Sequence, residues 1–315
     1  MDEVITLHRL RLFVAVAEEL HFRRAAERLH MSQPPLTRQI RSLEADVGVQ
    51  LMKRNSRSVV LTPAGAVLLR EASRIISAVD GAVSLTRRAA RDGVDTLVIG
   101  CVESAAANLL PAVLSRFCET YPHIAIDVRQ LHTREQEHAL ARREIDCGIL
   151  RPPTSDDSLD VTLLYTEEIV AAVPTDFPCD EPTISLDRLR DAEFVIHAEE
   201  LGAGVATALM QTCIAAGFVP RITRTALSTA MLLGLIAAGK GVSLLPSPYR
   251  LTTPFGVRFL PIADAAPVCG VAMAVRSDDA PEPVLTDFCR MLEVGARMIA
   301  AQGNGRLPSG THDVP

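Results

Sequence analysis

The sequence predicts an α/β protein in two parts, a small helical head and a larger two-lobed body, joined by one long helix. Apolar residues recur at helical spacing through the first fifty residues, and a long amphipathic pattern follows from Pro63 to about Arg91. After residue 93, short apolar runs alternate with helical patterns, which is typical of βαβ units. The predicted domains are 1–62, 63–92 and 93–301, with a disordered tail at 302–315.

Charge is divided unevenly between the two parts. The net charge is −6, yet residues 1–92 hold 15 Lys and Arg against 10 Asp and Glu, whereas the rest of the chain is strongly acidic. A basic head on an acidic body indicates a module that binds a polyanion. Seven cysteines with no C-x-x-C pair favour a reducing compartment. With no signal-like start and no long apolar run, we expect a cytoplasmic protein without membrane contact.

The head begins with three predicted helices. The first lies near residues 7–17 and the second near 23–29, and both show apolar residues at helical spacing. A third helix is predicted to start near Gln33, because Ser32 is a favoured N-cap residue and prolines are tolerated in a first turn. Gly48 is expected to end it.

The third helix carries a polar stripe opposite its apolar face. Gln33, Thr37, Arg38 and Arg41 offer an amide, a hydroxyl and two guanidinium groups. These are the groups that read base edges in the major groove of DNA. A solvated helix face is the ordinary alternative, but two short helices separated by a tight turn favour a helix-turn-helix.

A basic hairpin and a long helix complete the head. Residues 51–61 predict two short strands around a basic tip, a wing whose Lys53, Arg54 and Arg57 would meet DNA phosphates or the minor groove. Thr62 is predicted to cap the helix that begins at Pro63. A single narrow apolar seam on a helix of nearly thirty residues indicates pairing with a second copy.

Several motifs in residues 7–70 resemble the LysR-type transcriptional regulators. They are FVAVAE at 13–18, RAAERLHMSQPPLTRQI at 24–40, LE at 43–44, LTPAG at 61–65, and Gly48, Leu51 and Arg54. The resemblance implies a winged helix-turn-helix, a dimerising linker helix and a periplasmic-binding-protein-like effector domain. It also implies a homotetramer that binds double-stranded promoter DNA and a small-molecule effector, with RNA polymerase as a further candidate partner. It places DNA contacts on Gln33, Pro34, Pro35, Thr37, Arg38, Arg54 and Arg57, the prolines from the resemblance alone.

The body is predicted to contain two α/β lobes. Strands near 96–101, 124–129 and 146–150 alternate with helices near 109–121 and 135–143, so this sheet should be parallel. Lobe I is expected to comprise about 93–165 and 267–301, and lobe II about 166–266. The remaining predicted strands are 169–173, 193–196, 221–225 and 268–275, and the remaining helices are 203–217, 229–239 and 284–299.

Ligands of open α/β sheets bind off the carboxyl ends of strands. Ser104, Thr133 and the segment Gly202, Ala203 and Gly204 follow such strand ends, so they could hold a small anion such as a carboxylate, although each hydroxyl could equally cap a helix. The resemblance also points to Ser104 and Thr133. Arg151 could hold an effector carboxylate, with an ion pair as the alternative. Arg221 and Arg224 are more typical of ion pairs, and His197 of a structural histidine. The wording of the helix-turn-helix, nearest to regulators of aromatic-compound degradation, suggests an aromatic or dicarboxylic acid.

The sequence disfavours three other functions. An enzyme is disfavoured because Gly202-x-Gly204-x-x-Thr207 lacks the third glycine and the acidic partner of a dinucleotide site, and no other catalytic, cofactor or metal motif occurs. A solute-binding protein is disfavoured by the basic head. A redox sensor of the same family needs an exposed, acidic cysteine, but residues 199–204 contain none and Cys213 lies among apolar residues.

Overall fold

A computed structural model of the chain contains two compact units. The structure describes residues 5–54, 59–91, 96–198, 204–252, 255–263, 267–278, 282–303 and 305–308. The N-terminal unit comprises residues 1–91 with 141–144, and the C-terminal unit comprises 92–140 with 145–315. Within the described residues, no helix is long and apolar enough to cross a membrane.

The N-terminal unit is a winged helix-turn-helix followed by a long helix, as predicted. Its apolar core includes Phe13, Leu36, Ile40 and Leu43, all fully buried. The core therefore packs the inner face of the third helix against the first, and the outer face of the third helix is left to solvent. The elements are α1 Leu7–Glu19, α2 Phe22–Arg28, α3 Gln33–Val47, β1 Met52–Arg54, β2 Val59–Leu61 and α4 Pro63–Arg91.

The two ends of α3 are set by local chemistry. Ser32 occupies the N-cap position with extended backbone angles, but its side chain makes no capping hydrogen bond. The N–H donors that an N-cap side chain normally bonds belong to the second and third helical residues, which here are Pro34 and Pro35 and have no N–H. The position of the predicted cap is right, and its hydrogen bond is absent. Gly48 ends the helix at a φ of 78°, a conformation that favours glycine.

The start of α4 is tied to the wing through Thr62. The Thr62 hydroxyl accepts a hydrogen bond from the Gly65 N–H at 3.0 Å and donates to backbone carbonyls that precede β1. The predicted Thr62 cap is therefore confirmed. A Cβ at Gly65 would stand 2.0 Å from the Leu51 carbonyl oxygen, so only glycine lets the helix and the wing approach this closely.

The C-terminal unit has a seven-stranded mixed sheet and a two-stranded parallel sheet. The three strands predicted first, β3, β4 and β5, pair in parallel with β3 in the centre, which confirms the βαβαβ prediction. The strands are β3 Thr96–Cys101, β4 Ala125–Gln130, β5 Cys147–Leu150, β6 Leu159–Pro174, β7 Glu193–His197, β8 Arg221–Ala226, β9 Ser243–Pro246, β10 Val257–Pro261 and β11 Val268–Arg276. The helices are α5 Glu103–Asn108, α6 Leu110–Thr120, α7 Thr133–Ala141, α8 Gly204–Ala215, α9 Thr229–Ala237 and α10 Pro283–Ala301.

Strand β6 joins the two lobes. Its first part, to Glu168, pairs with β11, and its last part, from Ile169, pairs with β9 and β10. Separate apolar cores lie on either side, one around Phe117 and Phe288 in lobe I and one around Phe194 and Leu244 in lobe II. The sequence predicted only the last third of β6, because its first half mixes polar and apolar residues without a clear period. Strands β9 and β10 were not predicted.

The chain after α10 corrects one prediction. Residues 302–315 were expected to be disordered, yet Arg306 and Thr166 exchange two backbone hydrogen bonds of 2.8 Å. Residues 305–308 therefore lie against β6, while 309–315 fall outside the described part of the chain. Composition alone did not reveal this pairing, since two backbone hydrogen bonds need no apolar side chain.

Candidate nucleic-acid interface and inter-lobe cleft

The outer face of α3 carries the predicted polar stripe. Gln33, Pro34, Pro35, Arg38 and Arg41 are exposed, and Thr37 is half-buried. Among the residues that the structure describes, the side chains of Gln33, Thr37, Arg38 and Arg41 have no hydrogen-bond or ion-pair partner. Their donors and acceptors are therefore available to a ligand.

The arginines of α2 differ from those of α3 because each has an acidic partner. All three α2 arginines are exposed, but their charges are neutralised by glutamates of α1 and α2. The pairs are Arg23–Glu27 at 3.0 Å, Arg24–Glu19 at 3.2 Å and Arg28–Glu18 at 2.6 Å. The unneutralised positive charge of the helix-turn-helix is thus concentrated on α3.

Polar contacts fix the orientation of α3 and of the wing. Arg9 of α1 donates to Gln39 at 3.2 Å and to Asp46 at 2.5 Å, so it holds α3 along its length. A single Glu44 oxygen accepts the N–H groups of Leu51 and Met52 at 3.0 and 3.1 Å. Glu44 therefore attaches the wing to the C-terminal half of α3, a role that sequence reasoning missed because a lone glutamate on a polar helix face carries no distinctive signal.

The predicted wing residues are placed only in part. Lys53 lies exposed on β1, and Arg54 ends that strand. Arg57 lies outside the described residues. The hairpin itself is confirmed, since β1 and β2 pair antiparallel with Met52 opposite Leu61.

The apolar seam of α4 is exposed in the single chain. Ile75, Val79 and Val83 are each 40% exposed or more, whereas Ala72 is buried. The seam therefore has no cover from the described part of its own chain over this stretch.

In the C-terminal unit, three predicted effector residues form one cluster. The Thr133 hydroxyl accepts from the Arg151 N–H at 3.1 Å and donates to the Arg151 carbonyl at 3.0 Å. The Ser104 hydroxyl accepts from the Arg151 guanidinium at 2.6 Å. All three residues are buried. They lie at the carboxyl edge of the β3 and β5 strands, as the strand-end rule predicts.

Arg151 has an acidic partner inside the C-terminal unit. Its guanidinium donates to Glu167 at 2.5 Å, and the two side chains are 2% and 0% exposed. It also donates to the Gly270 carbonyl at 3.3 Å. Arg151 therefore forms a buried ion pair, which is the alternative that the sequence left open, and its contact with an effector stays a prediction. The sequence could not show this because Glu167 lies 16 residues away, in the part of β6 that was not predicted.

A second group of polar residues connects the lobes across the cleft. The Thr229 hydroxyl, at the first residue of α9 in lobe II, donates to the Glu103 carboxylate at the first residue of α5 in lobe I. The His197 Nε2 atom, at the end of β7, lies 3.5 Å from the same hydroxyl. His197 and Thr229 are both buried. Glu103 and Thr229 were not among the predicted site residues, although the strand-end rule applies to both.

The other predicted residues of the C-terminal unit are the glycine segment before α8 and two arginines of β8. Gly204 begins α8 with a φ of 61°, while Gly202 and Ala203 lie outside the described residues. Arg221 and Arg224 each contact Glu193 at 2.5 Å, which confirms the ion-pair interpretation. Hydrogen bonds from these two arginines lower the pKa of Glu193.

Cys213 does not have the properties that the redox alternative requires. Burial raises the pKa of Cys213 to about 11, so its reactive thiolate is scarce at neutral pH. No group of three metal-ligating side chains occurs in the described ranges.

A helix-turn-helix with free arginines, attached to a two-lobed α/β domain with polar residues between the lobes, defines a DNA-binding regulator with an effector domain. Residues 7–66 match the bacterial regulatory helix-turn-helix protein, lysR family, and residues 90–296 match the LysR substrate binding domain. The chain belongs to the LysR family of transcriptional regulators.

Relatives match over most of their length. The HTH-type transcriptional regulator AlsR of Bacillus subtilis is 37% identical over 76% of this chain and 80% of its own. BenM of Acinetobacter baylyi is 33% identical over 86% of this chain and 90% of its own. The crystal structure of full-length BenM aligns with a TM-score of 0.59 at 31% identity, covering 97% of this chain and all of BenM. Full-length CbnR in complex with its target DNA aligns with a TM-score of 0.55 at 28% identity, covering 93% of this chain and all of CbnR.

Proposed function

We propose that this regulator reads promoter DNA with the outer face of α3 and the wing. The observation that carries the proposal is the contrast between neighbouring helices. The arginines of α2 are paired with glutamates, whereas Arg38 and Arg41 have no acidic partner in the part of the chain that the structure describes. Arginine bonds guanine bidentately, glutamine bonds adenine, and threonine contacts the thymine methyl group. Pro34 and Pro35 are proposed to contact the groove wall, and Lys53, Arg54 and Arg57 to bind phosphates.

The test compares two arginines of the same unit. Arg38→Ala should weaken binding to the promoter fragment next to the protein's own gene by about 1–3 kcal/mol and relax sequence preference. Arg23→Ala removes an exposed arginine of equal charge that is already paired, so it should change affinity far less. Fluorescence anisotropy at several salt concentrations measures both, because phosphate contacts make affinity fall with salt. Equal effects of the two substitutions would contradict the assignment of α3.

Pairing of α4 with a second copy is the proposed basis of oligomerisation. Its exposed Ile75, Val79 and Val83 form a narrow apolar stripe that a second α4 would bury. A dimer would present two α3 helices to two half-sites of one promoter. We propose that such dimers form a tetramer in the cytoplasm, where the DNA is, and that the resulting DNA bend controls access of RNA polymerase.

For the effector, we propose a small carboxylic acid bound between the lobes. The Glu103 carboxylate already bridges to Thr229 at the start of α9, and a helix start favours a carboxylate. An effector carboxylate would replace Glu103 there, and we propose the Ser104 and Thr133 hydroxyls and the segment Gly202, Ala203 and Gly204 as its further contacts. Displacing an inter-lobe contact changes the relative free energies of open and closed states, which is what a regulator requires.

The effector proposal is tested with benzoate and fumarate as aromatic and dicarboxylic probes. Binding should raise the melting temperature of the full chain. Ser104→Ala should abolish this rise and leave DNA affinity intact. Ser115→Ala, which removes an exposed hydroxyl of α6, is the matched control and should leave the rise unchanged. A full response in Ser104→Ala would remove Ser104 from the site.

A further inference from the structure

One cavity of the C-terminal unit is lined by residues other than the polar cluster of the cleft. It has a volume of about 340 Å³ and is bounded by β6, by the 3₁₀ turn Ser247–Thr252 that follows β9, and by the chain after α10. Its lining includes Glu168, Ser247, Arg250 and Arg306. It shares no lining residue with the group formed by Ser104, Thr133, Arg151, His197 and Thr229.

The charges in this cavity do not balance. Arg306 is paired with Glu168 at 2.6 Å. Arg250 is half-buried, and it makes no hydrogen bond or ion pair with any residue that the structure describes; its Nε atom is fully buried and unsatisfied. The lining therefore carries one positive charge in excess. Buried polar groups normally have partners, so an unsatisfied Nε in an arginine that lines a cavity indicates a missing acceptor.

The segment that carries Arg306 is held in place by backbone contacts. Thr166 and Arg306 exchange two hydrogen bonds of 2.8 Å. A Cβ at Gly305 would lie 2.9 Å from the Tyr165 ring, so glycine is needed for this segment to lie so close to β6. The second arginine is thereby presented from a fixed strand-like segment.

We propose that this cavity is a second ligand site, which binds the oxyanion group of a small molecule through Arg250 with Arg306 as the second cation. A guanidinium binds a carboxylate or phosphate oxyanion bidentately. The cavity volume is at the lower end of the range for small-molecule sites, about 300–1,000 Å³, so the ligand is a metabolite of modest size. The excess positive charge favours an anion.

The cavity lies where a bound ligand would affect how the two lobes close. Glu168 is the residue of β6 at which pairing passes from β11 to β9 and β10. Ser247 follows β9 of lobe II, and Arg306 follows α10 of lobe I. A ligand held by Arg250 and Arg306 contacts elements of both lobes, so it would bias their closure if its affinity differs between closure states. This inference does not depend on the effector proposed for the cleft.

The test uses the full chain and inorganic phosphate as the probe, with ionic strength held constant by sodium chloride. Isothermal titration should show saturable binding, and Arg250→Gln should raise the dissociation constant at least tenfold. Arg116→Gln, which removes an exposed arginine of α6, should leave the constant unchanged. Ser104→Ala should also leave it unchanged, whereas it abolishes the response to cleft ligands.

A further variant distinguishes loss of the site from misfolding of the chain. Arg250→Lys keeps the charge but loses the planar pair of donors, so it should fold and weaken phosphate binding. Absence of saturable binding to the wild-type chain would overturn the proposal. So would binding of equal strength in wild type and Arg250→Gln, because the phosphate would then be bound elsewhere, for example on α3.

Discussion

The buried Arg151–Glu167 pair allows a quantitative prediction about stability. Both side chains are almost completely inaccessible, at 2% and 0% exposure, and they meet at 2.5 Å. Glu167→Gln keeps the shape of the side chain but leaves the Arg151 charge without its counter-charge. Breaking a buried pair by removing one partner costs about 3–5 kcal/mol. For a domain of 150–250 residues, about 2–4 °C is lost per kcal/mol, so the melting temperature of the C-terminal unit should fall by roughly 6–20 °C.

Circular dichroism melting of the full chain measures this change. The matched control is Arg221→Gln, which breaks an exposed ion pair with Glu193 and should cost no more than about 1 kcal/mol. The double substitution Arg151→Met with Glu167→Leu removes both charges and should recover most of the loss, because a buried pair is often replaceable by apolar residues. A double variant as unstable as Glu167→Gln, or a Glu167→Gln chain as stable as wild type, would refute the reasoning.

Three further outcomes are expected. Gly65→Ala should destabilise the N-terminal unit by at least about 1–3 kcal/mol in urea unfolding, because its Cβ would overlap the Leu51 carbonyl; unchanged stability would show that the wing moves freely. Gly234→Ala, in α9 with nothing within 4 Å of the added Cβ, should instead stabilise the chain by about 0.5–1 kcal/mol, and a lower melting temperature would contradict this. At pH 8 a thiol reagent should label the exposed Cys118 at once. It should label Cys213 only on unfolding, because burial raises the pKa of Cys213 to about 11. An unfolded thiol ionises near pH 9. The contribution of Cys213 to the free energy of unfolding is therefore at its maximum below pH 9 and falls as pH rises from 9 toward 11.

The N-terminal unit was largely predictable because its information is local. Helical spacing, the prolines at 34 and 35 and Gly48 determine where α3 lies and which face it exposes, and the structure has α3 at Gln33–Val47. The missing Ser32 hydrogen bond is local as well, since the same prolines remove its donors. In the C-terminal unit, apolar strands separated by helices were sufficient to predict a parallel βαβαβ core and the convergence of Ser104 with Thr133.

The tertiary structure determines which charged side chains have a partner of opposite charge. The sequence shows Arg28 and Arg38 as similar surface arginines, yet the fold places Glu18 of α1 beside Arg28, whereas Arg38 has no acidic partner among the residues that the structure describes. From the sequence Arg151 is a candidate ligand, and only the fold shows that Glu167 lies beside it. Nothing in the sequence distinguishes Arg250, and only the fold shows that it lines a cavity with residues of β6 and of the chain after α10. The physical reason is that an ionic interaction depends on a distance of a few ångströms between residues on different helices and strands. The period of a helix or strand, in contrast, can be read from consecutive residues.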